Sequence, residues 1–284
     1  MLTSCFGDFC LSPQAKLTDL PQWHLIIRPI RCTSKWKHSL CEVYSDGSMV
    51  CKHPQIAEST APNQQRIDRI VIKECGRVFD GQEWAIMSQH TALTDLLPFI
   101  LAHVSAHPVL KISGEESAEQ ENLVKLFLDA VGNQKCFSEI SLPYYGKETD
   151  DFLYLQLTSG RTRKLDLHGK WPSSVRYHLM AYLLSSRVPH VTISEEADLY
   201  IDQAIFDYIS EKFQMEKNSY FKLSGFLGVE PAYIKSFKLD LQRRNPDQKK
   251  GDITWVSPFD HSRILRAVFF CDRVSIFSGK FEDY

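Results

Sequence analysis

The residue types that can do chemistry are all present in this chain, but their spacing keeps them apart. Cys271 with His261, and Asp260 beside the imidazole, form the sharpest candidate nucleophile and base, because a thiolate needs a nearby imidazole to generate and hold it. Phe269-Phe270-Cys271, however, reads as an apolar strand carrying a buried thiol. Gly169-Lys170 follows an apolar strand as a phosphate loop would. It lacks the upstream glycine, and Trp171-Pro172 stands where a Ser or Thr would bind magnesium. Glu195, Glu196 and Asp198 could hold a hard cation, and Cys5, Cys10, His24 and Cys32 could complete a tetrahedral zinc site. Both sets also fit plain structure, as a solvated loop before a helix and as free thiols. No His-Glu-x-x-His or Gly-x-Ser-x-Gly segment occurs. The residues therefore read as a protein without catalytic, cofactor or metal site. The rival is a degenerate hydrolase or transferase whose groups meet only in three dimensions.

The elements that must position any such residue form a repeat. Six short alternating strands stand out: Leu110-Lys111-Ile112-Ser113, Glu139-Ile140-Ser141-Leu142, Leu165-Asp166-Leu167, Val191-Thr192-Ile193-Ser194, Phe221-Lys222-Leu223-Ser224 and Val274-Ser275-Ile276. Their second apolar residues fall at 112, 142, 167, 193, 223 and 276, giving steps of 30, 25, 26, 30 and 53. Helical spacing of apolar residues precedes nearly every strand: near 94–106, over 118–131, from Thr149 to Gly160, and after Pro172. Two more helices carry Ile205, Ile209 and Phe213, then Tyr233, Ile234, Phe237 and Leu241. Residues 253–256 and 264–269 read as a hairpin guarding the array's edge.

Upstream, residues 1–85 read as a β-rich cap of the kind a terminal repeat requires. Leu25-Ile26-Ile27 is β-branched, and Asp46-Gly47 between apolar runs is a hairpin turn. Residues 67–72 form a strand expected to pair with that hairpin. The fold class is thus α/β, an irregular leucine-rich-repeat-like helix-strand array over 86–284 with a small β-rich N-terminal cap.

Because the strands alternate apolar with polar residues, they bury one face only, unlike the continuous apolar strands of a doubly wound sheet. The polar alternates Lys111, Glu139, Lys164, Asp166 and Lys222 then line an open face for a protein partner. Tyr144, Tyr145 and His168, at strand ends of neighbouring repeats, would supply an aromatic anchor.

Composition excludes other partners. Net charge is −2 with Lys and Arg spread along the chain, so nothing marks a nucleic-acid or anionic-membrane surface. No apolar run approaches the ~20 residues of a membrane span. An export signal and an Asn-x-Ser/Thr acceptor are both missing, which points to the cytoplasm or nucleus, where the eight cysteines would stay free thiols.

Leu142-Pro143-Tyr144-Tyr145-Gly146-Lys147-Glu148, Phe152-Leu153 and Leu165-Asp166-Leu167-His168-Gly169-Lys170-Trp171-Pro172 resemble a large nematode family of F-box-like proteins with a leucine-rich-repeat-like C-terminal region. Cys41-Glu42-Val43-Tyr44-Ser45-Asp46-Gly47 and the block from Tyr220 onward share the likeness, which covers residues 35–284. The resemblance implies a substrate-recruiting adaptor that docks to a Skp1-type adaptor. The family's apolar opening helix is reduced here to Lys16–Trp23.

Overall fold

A computed structural model describes residues 22–30, 33, 35–44, 48–52, 66–73, 84–113, 117–134, 136–185, 189–194, 196–215, 220–236, 242–244, 252–257, 260–270 and 273–280. In chain order these form β1 (Gln22–Pro29), β2 (Lys35–Val43), β3 (Met49–Lys52), β4 (Ile67–Lys73) and β5 (Ala85–Ser88). Helix α1 (Gln89–Thr91) then runs through a π segment (Ala92–Leu96) into α2 (Leu97–His103). Next come β6 (Val104–Ser113), α3 (Ala118–Gly132), β7 (Glu139–Pro143), α4 (Lys147–Thr158) and β8 (Lys164–His168). A 3-10 turn (Ser173–Val175) leads into α5 (Arg176–Ser185), followed by β9 (His190–Ile193), β10 (Tyr200–Ile201), α6 (Gln203–Met215), β11 (Phe221–Leu227) and α7 (Pro231–Ser236). The chain finishes with β12 (Gln242–Arg244), β13 (Asp252–Val256), β14 (Arg263–Phe270) and β15 (Arg273–Lys280).

All of the strands join one sheet, in the order β12-β13-β14-β15-β11-β9-β8-β7-β6-β4-β1-β2-β3, with β10 on β11 and β5 on β2. From β1 through β4, β6, β7, β8 and β9 to β11 every neighbouring pair is parallel. Antiparallel strands close both ends. Strands β6, β7, β8, β9 and β11 lie side by side in chain order, so every connection advances the same way, and crossovers of one hand advancing one way set their helices on one face, where α3, α4, α5 and α6 share a single core.

Register turns the alternation into continuous rungs. Ile70, Leu110, Ile140, Leu165, Val191 and Leu223 stand abreast across β4 to β11, and Ile276 of β15 extends the line. None of the seven is more than 2% exposed. At roughly 1.5–3 kcal/mol for each fully buried aliphatic side chain, such rungs outweigh every other single feature of the sheet. Leu142, Leu167 and Ile193 begin a second rung, which ends at Gly225, where an added Cβ would lie 3.3 Å from the Ile193 Cβ. The same core takes in Leu123 and Phe127 of α3, Phe152 and Leu153 of α4, Leu179 and Tyr182 of α5, and Phe206 and Phe213 of α6.

Buried polar groups tie each layer to the next. Gln156 of α4 accepts from the Phe137 amide at 2.9 Å and donates to the Gly132 carbonyl at 3.2 Å. Thr162 donates to the Phe137 carbonyl at 3.0 Å, and the Tyr182 hydroxyl donates to the Thr162 carbonyl at 3.1 Å. Lys212 of α6 reaches the Leu183 carbonyl at 2.8 Å, continuing the chain of ties. Trp171 is fully buried and donates from Nε1 to the Leu142 carbonyl, 3.1 Å away in the preceding layer.

Several expectations change. Strand β4 pairs in parallel with β1 and β6 and does not join the β2–β3 hairpin, because only that slot sets Ile70 and Ile72 in the core rung. The last strand, β15, is antiparallel to β11, so it closes the array instead of repeating it, and the step of 53 holds the β12–β14 meander. Helix α4 starts at Lys147 behind Gly146, whose φ of 101° favours glycine; Thr149 instead accepts from the Tyr145 amide at 3.1 Å. Gly160, with φ of 68°, follows that helix as read. Gln22 and Trp23 open β1, while the rest of the opening segment, the Asp46-Gly47 turn, and Phe237 and Leu241 lie outside the described residues.

Candidate functional site: the open face of the sheet

Residues between the core rungs project from the opposite face. One open row reads Arg69, Val109, Glu139, Lys164, His190, Lys222 across β4 to β11. The next reads Val71, Lys111, Ser141, Asp166, Thr192, Ser224, and Lys73, Ser113 and His168 lie beyond it. Over β4 to β11 these rows set five Lys or Arg side chains against two carboxylates, Glu139 and Asp166, on a chain whose net charge is −2. Spread along the sequence, the cations carry no signature. Register gathers them.

The surface is furnished rather than flat. A shallow, solvent-open depression of about 120 Å³ is bounded by Arg69, Lys111, Glu139, Ser141, Lys164 and Asp166. Lys164 approaches Glu139 at 3.7 Å, and Ser141 donates to Asp166 at 3.3 Å. Lys111 and Lys222 are exposed and form no ion pair among the described residues. Toward the N-terminal end the face is covered, since Trp84 lies under the Arg28 guanidinium at 4.7 Å and the Lys37 ammonium at 5.1 Å. Arg28 is accordingly 1% exposed.

Titration follows this charge. Burial first, then the charges of Lys222 and Lys164, holds His190 below the ordinary histidine value, against the opposing pull of Glu139 and Asp166. His168 is also lowered, burial outweighing the Asp166 carboxylate, with Lys111 adding to the effect. Burial, then Arg28 and Lys111, depresses the Lys73 ammonium. At neutral pH both imidazoles are uncharged hydrogen-bonding groups in a cationic field.

Of the residues singled out from sequence, Lys111, Lys164, Asp166, His168 and Lys222 share this face. Tyr145 does not. It is 5% exposed in the core, its hydroxyl accepting from Gln120 Nε2 at 3.0 Å, so the expected aromatic patch is not formed. Tyr144 packs its ring on Trp171 at 5.1 Å. Both tyrosines lie in the β7–α4 loop, where strand alternation no longer predicts orientation. Glu139, one of the expected polar alternates, lies on this face as well; sequence reasoning missed Arg69 and His190 as members of the site, although the same period-2 alternation would have assigned both to the polar face.

The chemical candidates fare differently. Asp260 accepts from the Ser262 amide at 2.9 Å and hydroxyl at 2.7 Å, which lowers its pKa in a tight turn; Cys271 lies outside the described residues. Cys5, Cys10, Cys32 and Glu195 also lie outside them, and no metal-ligand group of three occurs among the described residues. Glu42 is the one carboxylate among the described buried residues, and it accepts from the Tyr44 hydroxyl at 2.9 Å. Cys41 corrects the free-thiol expectation, for it is disulfide-bonded. Pairing of β2 with β3 sets position 51 opposite 41, a juxtaposition linear spacing conceals.

Comparison with known proteins finds no matching family model, curated protein or solved structure. The molecule is a mixed α/β protein whose sheet is parallel through its centre and antiparallel at both ends, and no helix among its described residues is long and apolar enough to cross a membrane.

Proposed function

We propose that this chain is a non-enzymatic interaction module, an irregular leucine-rich-repeat-like array that holds a protein partner on the open face of its sheet. One observation carries the reading: across β4 to β11 one face is packed by helices, while the other presents charged and hydroxyl side chains in register around a depression. Placing such groups in ordered rows costs the fold little, because substitutions at exposed positions away from the core change stability by only about 0.5 kcal/mol. Cross-linking of the native complex tests the proposal. Cross-links from Lys111, Lys164 and Lys222 support it; cross-links confined to Lys125 of α3 and Lys147 of α4 count against it.

The finer reading, a substrate-recruiting adaptor of the F-box-like type working with a Skp1-type adaptor in the cytoplasm or nucleus, rests on the sequence resemblance. The Cys41 disulfide opposes it, since disulfides persist in oxidising compartments and are rare in the cytosol. Thiol titration of the unfolded, unreduced protein decides the point. One disulfide takes two of the eight cysteines, leaving at most six to react, whereas eight reactive thiols would restore the intracellular reading.

A further inference from the structure

We propose that the open face binds an acidic polypeptide segment in extended conformation, laid across β6 to β11 with its carboxylates against Lys111, Lys164 and Lys222. The inference rests on the docking face proposed above and adds the chemistry of what docks. The three lysines stand on alternate strands of the sheet order β6-β7-β8-β9-β11, with β7 and β9 between them. Two strand spacings amount to about 10 Å, which matches one turn of a polyproline II chain, three residues at ~3.1 Å each, with every third side chain on the same side. In that conformation a peptide with an acidic side chain at every third position meets Lys222 and Lys164 in turn along one row, and by crossing obliquely reaches Lys111 in the next row. Between the lysines, Glu139, Ser141 and the neutral His190 offer hydrogen-bonding groups to the residues in between.

Nucleic acid fits this face less well. Single-stranded chains are held by cationic grooves combined with aromatic platforms for stacking. On the described open rows from β6 to β9 no Phe, Tyr or Trp is present; Phe226 of β11 and Phe277 of β15, the latter abreast of Lys222, each already lie under an arginine, Arg273 at 5.3 Å and Arg266 at 5.9 Å, and Glu139 and Asp166 sit in the middle, where a phosphate backbone would meet like charge. Charge complementarity with room for local reversal favours a mixed polypeptide over a uniform polyanion.

Fluorescence anisotropy on the full chain tests this, using a labelled peptide of about twelve residues with Asp at every third position, sized by the ~3.1 Å rise of a polyproline II chain to cross these strands. The comparison probes are its Asn counterpart and an oligothymidylate of similar length. The acidic peptide is expected to bind about ten-fold or more tighter than the Asn form, with Lys164→Glu and Lys222→Glu each weakening it about three- to ten-fold. Glu139→Gln, which removes the ion-pair partner of Lys164, should tighten binding, a gain that unfolding cannot mimic. Equal affinity for the Asn peptide, an unchanged or weaker Glu139→Gln variant, or tighter lysine-dependent binding of the oligothymidylate would each overturn the proposal. Cross-links from a native partner to Lys111, Lys164 and Lys222 without acidic-peptide affinity would remove this inference while leaving the docking face intact.

Discussion

The two faces of one run of strands have opposite logics. On the helix side, Ile140, Leu165, Val191 and Leu223 stand shoulder to shoulder and almost wholly buried. One residue away along each strand, Glu139, Lys164, His190 and Lys222 stand equally abreast but reach solvent. The first set holds the fold and tolerates little change, because packing is dense and a vacated volume is not refilled. The second set is free to vary as far as folding is concerned, so its charge pattern is available for recognition.

Mutations on the two faces should therefore separate stability from binding. The largest effect belongs to the core rung: Leu165→Ala is expected to cost about 3 kcal/mol in a denaturant titration, by lost burial plus cavity. Next comes the polar tie between layers. Gln156→Leu leaves the buried Phe137 amide without its 2.9 Å acceptor and should cost about 1–3 kcal/mol.

Acidification then sharpens the contrast, because it acts on both properties with opposite sign. His168 and His190 titrate below the ordinary value of 6.5 when folded, so in that window the unfolded chain binds protons first and stability falls as pH drops below about 6.5. Denaturation midpoints measured against pH should show this slope, and His168→Gln should flatten it. Protonation of the same imidazoles adds positive charge beside Lys111, Lys164 and Lys222, so acidic-peptide affinity should rise over the pH range in which stability declines. Affinity that falls with stability would erase the distinction between the faces. The smallest stability effect is expected for Lys164→Ala, within about 0.5 kcal/mol of the parent, since a half-exposed ion pair contributes little.

Much of the architecture is legible in the residues. The alternation Leu165-Asp166-Leu167 announces a one-sided strand, and β8 has that burial pattern. Helix α3 (Ala118–Gly132) follows the expected apolar spacing, with Leu123, Phe127 and Val131 buried. Misreadings cluster where a long-range choice decides. Strand β4 carries an ordinary alternating pattern that suits either a hairpin edge or a parallel slot, and only the competing rungs select the slot. Repeat length aligns Leu223 with Ile193, yet it stands beside Val191, two residues earlier, and Gly225 comes against Ile193. Tyr145 looked like a surface anchor because local sequence cannot reveal a Gln120 on the preceding helix waiting to bond its hydroxyl.

Local pattern by itself determined that this chain builds helices and one-faced strands, and which alternate residues in each strand avoid the core, because side chains change sides at every residue of a pleated strand. What only tertiary structure decided is which strands become neighbours and in what register. That choice converts scattered lysines in a slightly acidic chain into a cationic surface. Electrostatic potential depends on distances in space, and those are set when hydrophobic rungs align, long after the charges have been laid down along the chain.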